Sequence, residues 1–137
     1  MKTDRKTAGL SALGVFRKCT DAELKQLSHL STQITVGPGH ALCKQGSVGL
    51  EAFVIVGGSA DVSIDGKPVA TVGAGEFVGE MALLDGGPRV ATVTANETMT
   101  VLVLNRGEFT RVLETAPHIA IRMLEDLGRR LREAESA

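Results

Sequence analysis

The stretch GEFVGEMALLDGGPRVATV, from Gly75 to Val93, decides how the rest of the chain is read. Gly73, Gly75 and Gly79 follow the apolar segment Val69 to Val72 with a spacing close to that of a dinucleotide-binding loop. Such a loop opens a helix long enough to cross back over a parallel sheet, a unit of about 30 residues. Here the helix that starts at Gly79 breaks at Asp85-Gly86-Gly87-Pro88, and a β-type run follows. The position about 20 residues on, where an acidic group would hold a ribose, falls in the hairpin turn expected at Asn96-Glu97. The lysine and serine or threonine of a nucleoside-triphosphate loop are missing as well. The dinucleotide reading fails.

A bare anion site fits better. A helical stub such as Gly79 to Leu84 leaves nearly all its N–H groups without intrahelical partners. Those donors and the positive end of the helix dipole suit one phosphate. Gly79 and Ala82 keep side chains small where a ligand would approach the backbone. The Gly86-Gly87-Pro88 break brings Arg89 round, and its guanidinium fork matches two phosphate oxygens. A carboxylate at Glu80 would repel that phosphate, so it is expected to face another part of the ligand and accept from a hydroxyl. One phosphate beside a sugar hydroxyl, held in an apolar β-domain, points to a cyclic mononucleotide. The competing structural reading is a loop in which Glu80 favours the helix start and Arg89 pairs with Glu80 or Asp85.

Around this stretch, residues 32–104 read as short strands separated by turns. Ile34 and Val36 precede the turn Gly37-Pro38-Gly39, and Phe53-Val-Ile-Val56 is an apolar run closed by Gly57-Gly58. Ala60, Val62 and Ile64 alternate with polar residues, and Asp65-Gly66 is a tight hairpin signal. Val90 to Ala95 and Met99 to Leu104 form a further pair. This spacing predicts an antiparallel jelly roll or small barrel. Helices flank it. Thr20-Asp-Ala-Glu23 and Asn105-Arg-Gly-Glu108 fit capping boxes, and Phe16 is placed to pack against the start of the first. A weaker short helix is expected over Lys6 to Leu13. In the last helix, entered at Pro117, Ile121, Leu124, Leu127 and Leu131 mark one stripe. The expected architecture is α+β and a single domain over 1–137: helical 1–31, a β-barrel with the glycine stretch at 32–104, helices at 105–135, and one core.

Bulk properties exclude more than they assign. The chain has 137 residues, a net charge of −1 and only four aromatics, all Phe. That gives no general attraction to nucleic acid and almost no base-stacking platform. No apolar run approaches the length of a membrane span. Cys19 and Cys43 form no metal or disulfide framework, so free thiols in a cytoplasmic, reducing setting are expected. His29, His40 and His118 are scattered, without metal-ligand spacing. No catalytic constellation, metal site or cofactor is expected.

The quoted stretch resembles the phosphate-binding cassette of the cyclic nucleotide-binding domain family, the kind found in cAMP receptor protein and in protein kinase A regulatory subunits. That pattern is close to G-x-F-x-G-E-[LM]-A-L-[LI]-x-x-x-P-R-x-A-T-[VI]. Pro38-Gly39, Gln45-Gly46 and Phe53 to Gly58 are similar to the family's early strands and loops, and the likeness runs from about residue 10 onward. The resemblance implies a site made of Gly79, Glu80, Met81, Ala82, Leu83, Pro88, Arg89, Val90, Ala91 and Thr92. In it Glu80 would take the ribose 2′-OH and Arg89 the cyclic phosphate, with the N–H groups of Ala82, Leu83 and Ala91 completing the cradle. A hydroxyl residue directly after the arginine favours guanine in the family. Val90 stands there, which favours cAMP over cGMP, while Thr92 either touches the base or supports its strand. Val56, Val62 and Val72 are candidate walls or ordinary core.

Two departures are visible. Val78 replaces a frequent aromatic, and the last helix has no aromatic to close over the base. Met123, Leu127 and Arg130 are the candidate lid residues. The resemblance implies a regulatory module, not an enzyme, that passes ligand binding to its C-terminal helix. Its partner would be a regulated protein or a twin helix in a homodimer. The alternatives are a degenerate scaffold that binds no nucleotide and a regulatory fragment of a larger enzyme, channel or transporter.

Overall fold

The computed structural model describes Leu10 and residues 13–136. The short helix expected over 6–13 lies largely outside the described residues. A 3-10 turn at Gly14–Phe16 leads into α1 (Asp21–Leu30). The strands are β1 (Thr32–Val36), β2 (Ala41–Cys43), β3 (Glu51–Gly57), β4 (Ser59–Ile64), β5 (Lys67–Gly73) and β6 (Phe77–Val78). After the short helix α2 (Glu80–Asp85) come β7 (Thr92–Ala95) and β8 (Met99–Asn105), then α3 (Arg106–Thr115) and α4 (Pro117–Ser136). All the strand pairs are antiparallel. They form two four-stranded sheets, β1-β8-β3-β6 and β2-β7-β4-β5. The expected barrel is a β-sandwich of the jelly-roll kind, flanked by helices, within the α+β class.

The sequence pattern predicts one core, whereas the apolar residues divide into two clusters on opposite faces of the first sheet. Successive side chains on a strand point to opposite faces. In β3, Ala52 and Val54 join the helices with Leu24, Phe109 and Ile119, whereas Phe53 and Ile55 pack between the sheets with Ala60, Val72 and Val93. In β8, Leu102 and Leu104 face the helices and Met99 and Val101 face the second sheet. The continuous apolar runs in β3 and β8 follow from this burial on both faces.

The helix-side cluster is pinned by three phenylalanines. Phe77 of β6 lies 5.5 Å from Phe16 and meets Phe109 edge-on at 5.7 Å between centroids. Each such pair contributes about 0.5–1.5 kcal/mol beyond area burial. Both expected capping boxes form, Thr20 with Glu23 and Asn105 with Glu108. The N-terminal turn crosses the quoted stretch at Gly75, whose carbonyl accepts from the Val15 N–H at 3.4 Å. A side chain on Gly14 would collide with that carbonyl. Gly75 therefore serves a close chain crossing.

In α4 the stripe expected from spacing faces outward except at half-buried Leu127. Ile121, Leu124 and Leu131 are exposed, while Ile119 and Met123 are buried. The helix carries apolar residues on more than one face, and its packing face is set by Ile119 and Met123, with the 3-10 turn and α3 as its main neighbours.

Candidate functional site

The glycine stretch folds around a short helix closed at both ends by left-handed glycines. Gly79 is the N-cap at φ 77° and Gly86 the C-cap at φ 74°. A side chain on Gly79 would also run into Nη1 of Arg89. Glycine is therefore required there twice, by backbone conformation and by the arginine.

Arg89 is 7% exposed, deeply buried for a permanent cation. Its Nη1 donates to the Gly79 carbonyl and its Nη2 to the Glu51 carbonyl, both at 2.8 Å. Its own N–H donates to the Ser47 carbonyl at 2.8 Å, and its carbonyl accepts from the Gly46 N–H at 2.8 Å. The guanidinium carbon stands 5.9 Å from the centre of the Phe53 ring. The expected alternative pairing with Glu80 or Asp85 does not occur: among the described residues, Arg89 has no ion-pair partner. A guanidinium has five N–H donors, and two backbone carbonyls leave both donors and charge to spare. Burying a cation without an ion-pair partner is costly, and the Glu80 carboxylate acts on this one only from beyond ion-pair distance.

Glu80, the first residue of α2, is also 7% exposed. Burial pushes its carboxyl above the ordinary carboxylate value, opposed by the positive charge of Arg130 and by its own N–H. It borders a cavity of about 470 Å³, of a size suited to small ligands. Gly75 and Phe77 lie on one side of that cavity and Met123, Leu127 and Arg130 of α4 on another. The three candidate lid residues and Glu80 thus share one cavity, while Arg89 is not among its lining residues. Arg130 is held by Asp126 at 3.0 Å and by Glu76 at 3.7 Å. Glu76 in turn accepts from the Gly73 N–H at 2.7 Å.

The remaining expected residues fall around these two centres. Ala82 and Leu83 are buried, whereas Met81 and Val90 are exposed. Pro88 is exposed and forms an isolated bridge with Val48; Ala91 is half-buried. The strand expected from Val90 begins only at Thr92, and the Thr92 hydroxyl accepts from the Gln45 N–H at 3.0 Å. Thr92 therefore supports the neighbouring loop. Val72 is buried between the sheets with Val62 packed against that cluster, while Val56 packs on the helix side. Motif spacing missed three contributors: Gly49 and Glu51 reach Arg89 from across the fold, and Glu76, inside the quoted stretch, reaches Arg130. A buried glycine in an otherwise exposed loop is a structural signal that one sequence does not display.

Two other groups were not anticipated. His118 at the start of α4 meets the Glu23 carboxylate at 3.0 and 3.2 Å. Burial alone would raise Glu23, but the Thr20 N–H and the His118 ring outweigh it and hold the carboxyl below its ordinary value. The Cys19 thiol is pushed up to about 11 by burial and by the nearby Glu23 charge, which suppresses its thiolate. No group of residues that could hold a metal ion is found among the described residues, and no helix among them is long and apolar enough to cross a membrane.

Known proteins similar to this chain identify its family. The chain is 36% identical over 111 residues to a cyclic nucleotide-gated potassium channel of Rhizobium etli, covering 81% of this chain and 31% of the channel. It is 34% identical over 120 residues to a cGMP-dependent protein kinase of Eimeria tenella, covering 86% of this chain and 12% of the kinase. The chain thus spans about a third or less of the length of these relatives. A solved structure described as Sp-2Cl-cAMPS bound to PKAR CBD2 superposes with a TM-score of 0.78 at 28% identity, covering 92% of this chain and 86% of that one. A family profile described as the cyclic nucleotide-binding domain matches residues 33–116. The chain belongs to the cyclic nucleotide-binding domain family.

Proposed function

We propose that residues 1–137 act as one cAMP-responsive regulatory module. The observation that carries this reading is Arg89, a buried cation whose guanidinium is bonded only to carbonyls, with no carboxylate at ion-pair distance among the described residues. A cyclic phosphate supplies that charge, with the N–H groups of Ala82, Leu83 and Ala91 around it. Glu80 takes the ribose 2′-OH. The half-exposed Val90 offers a base no hydrogen bond, which favours adenine over guanine. Met123, Leu127 and Arg130 close the base side from α4.

Binding alters the position or firmness of α4, because a ligand shifts only states that it binds differently. The outward Ile121, Leu124 and Leu131 face then meets a regulated partner, or its twin in a homodimer. The module senses its ligand and performs no catalysis of its own. Free Cys19 and Cys43 suit a reducing cytoplasmic setting.

Calorimetric titration with cAMP and cGMP, on this chain and on Arg89→Ala, tests the reading. Binding of cAMP in preference to cGMP is expected, with loss of both in the variant. No binding by the parent at millimolar nucleotide refutes the sensor, and unchanged binding by Arg89→Ala refutes the phosphate clamp.

A further inference from the structure

The loop between β2 and β3, together with the first residue of β3, meets Arg89 at four points. Gly46, Ser47 and Glu51 do so through the backbone hydrogen bonds already described. The fourth is steric. Gly49 is buried, and a Cβ added to it would stand 3.2 Å from both Nε and Cζ of Arg89 and would collide with the Cβ of Ala82. Its φ lies outside the left-handed region, so alanine suits the backbone at this position; Gly46, at φ 83°, differs. The demand at 49 is for space alone, shared by the guanidinium and α2.

Neither neighbour can readily yield. Ala82 is fixed in a helix of six residues between two glycine caps. Arg89 is anchored through both Nη atoms and both backbone polar groups. The loop itself is tied down: the Gln45 N–H donates to Thr92 Oγ1, its Nε2 donates to Asp65 Oδ1 at 2.9 Å, and its Oε1 accepts from the Asp65 N–H at 2.8 Å.

We infer that Gly49 is a positioning residue for the phosphate site, setting how closely the Arg89 guanidinium and the start of α2 approach each other. The inference rests on the proposed role of Arg89 as the phosphate ligand. Gly37 provides the control, because a Cβ added there meets nothing within 4 Å and its φ is also outside the left-handed region.

The test titrates cAMP and its Sp and Rp phosphorothioates, in which sulfur replaces one or the other exocyclic oxygen, against the parent, Gly49→Ala and Gly37→Ala. Overpacking of this kind is expected to weaken cAMP binding by Gly49→Ala at least about tenfold and to change the Sp-to-Rp affinity ratio at least about threefold. Gly37→Ala stays within about twofold of the parent on all three ligands. In an Arg89→Lys background, adding Gly49→Ala costs less than about threefold, because contacting residues do not act additively.

If Gly49→Ala binds like the parent, keeps the parent's Sp-to-Rp ratio, or causes the same loss in the Arg89→Lys background, the inference is overturned while the cAMP reading stands. If the parent binds none of the three ligands, both fall. Should Gly49→Ala fail to fold, Gly49→Ala/Ala82→Gly, which removes the sharper collision, is measured in its place with the same two criteria.

Discussion

Arg89 and Arg130 are held by different means. Arg89 is buried and fixed by main-chain groups from three parts of the chain: Gly79, Gly46 to Ser47, and Glu51. The Arg130 side chain is 41% exposed and leans on Asp126 and Glu76 through ion pairs. Main-chain partners keep their positions when a neighbouring side chain changes, whereas exposed ion pairs contribute little and weaken with salt. In the site proposed above, Arg89 is therefore the more firmly fixed of the two and Arg130 the more readily displaced. A receptor that must both recognise and signal benefits from that division.

The comparison is broken most severely at Arg89. Arg89→Ala leaves the Gly79 and Glu51 carbonyls without their donors, and is expected to lower cAMP affinity by more than about a hundredfold. It should also cost about 1–3 kcal/mol of folding stability, read by urea denaturation. Glu80→Gln is expected to weaken cAMP about ten- to a hundredfold, with 2′-deoxy-cAMP then binding as well as cAMP.

In the ligand-free protein the effect of that change on stability is reversed. Glu80's carboxyl is raised by burial, so the folded state holds its proton more tightly than the unfolded one. Stability is therefore lost as pH rises above the ordinary carboxylate value of about 4.3. Ligand-free Glu80→Gln should accordingly melt above the parent at pH 7, and thermal scans should show the gap closing toward pH 4.

Smaller effects sharpen the contrast. Val90→Thr adds a hydroxyl where the family's guanine-binding members carry one. It is expected to move the cAMP-to-cGMP affinity ratio toward cGMP by about two- to tenfold in competition titrations. Glu76→Gln removes one support of Arg130, and the loss of cAMP affinity should not exceed about fivefold and should disappear in high salt. A larger loss, insensitive to salt, would show that α4 is fixed as firmly as Arg89.

The parts of the fold legible in the sequence were those governed by neighbours along the chain. Thr20 and Asn105 cap helices with residues three positions away, and Asp65-Gly66 turns a hairpin with left-handed φ at both residues. The short α2 and the bend that returns Arg89 were readable for the same reason. Less legible was anything decided by packing. Phe53 to Val56 and Met99 to Leu104 gave strands without revealing that each is buried on both faces. Ile119, Ile121, Met123 and Leu124 offer more than one apolar face to α4, and only contact with the 3-10 turn and α3 chooses between them. The partners of Arg89 were hidden because they are carbonyls, which every residue has. Glu51 lies 38 positions away from it.

The contact between His118 and Glu23 has a mechanical consequence. It fastens the first turn of α4 to α1, beside the buried Ala116 and Ile119, while the helix runs for 20 residues. Buried Met123 holds it again further along, so at 1.5 Å per residue about 20 Å of rod projects beyond the core, steadied by exposed ion pairs such as Arg130 to Glu76. A tilt of about ten degrees beyond Met123 carries the far tip through about 3 Å. With such a lever arm, a small adjustment at the edge of the core becomes a displacement large enough for a partner surface to register.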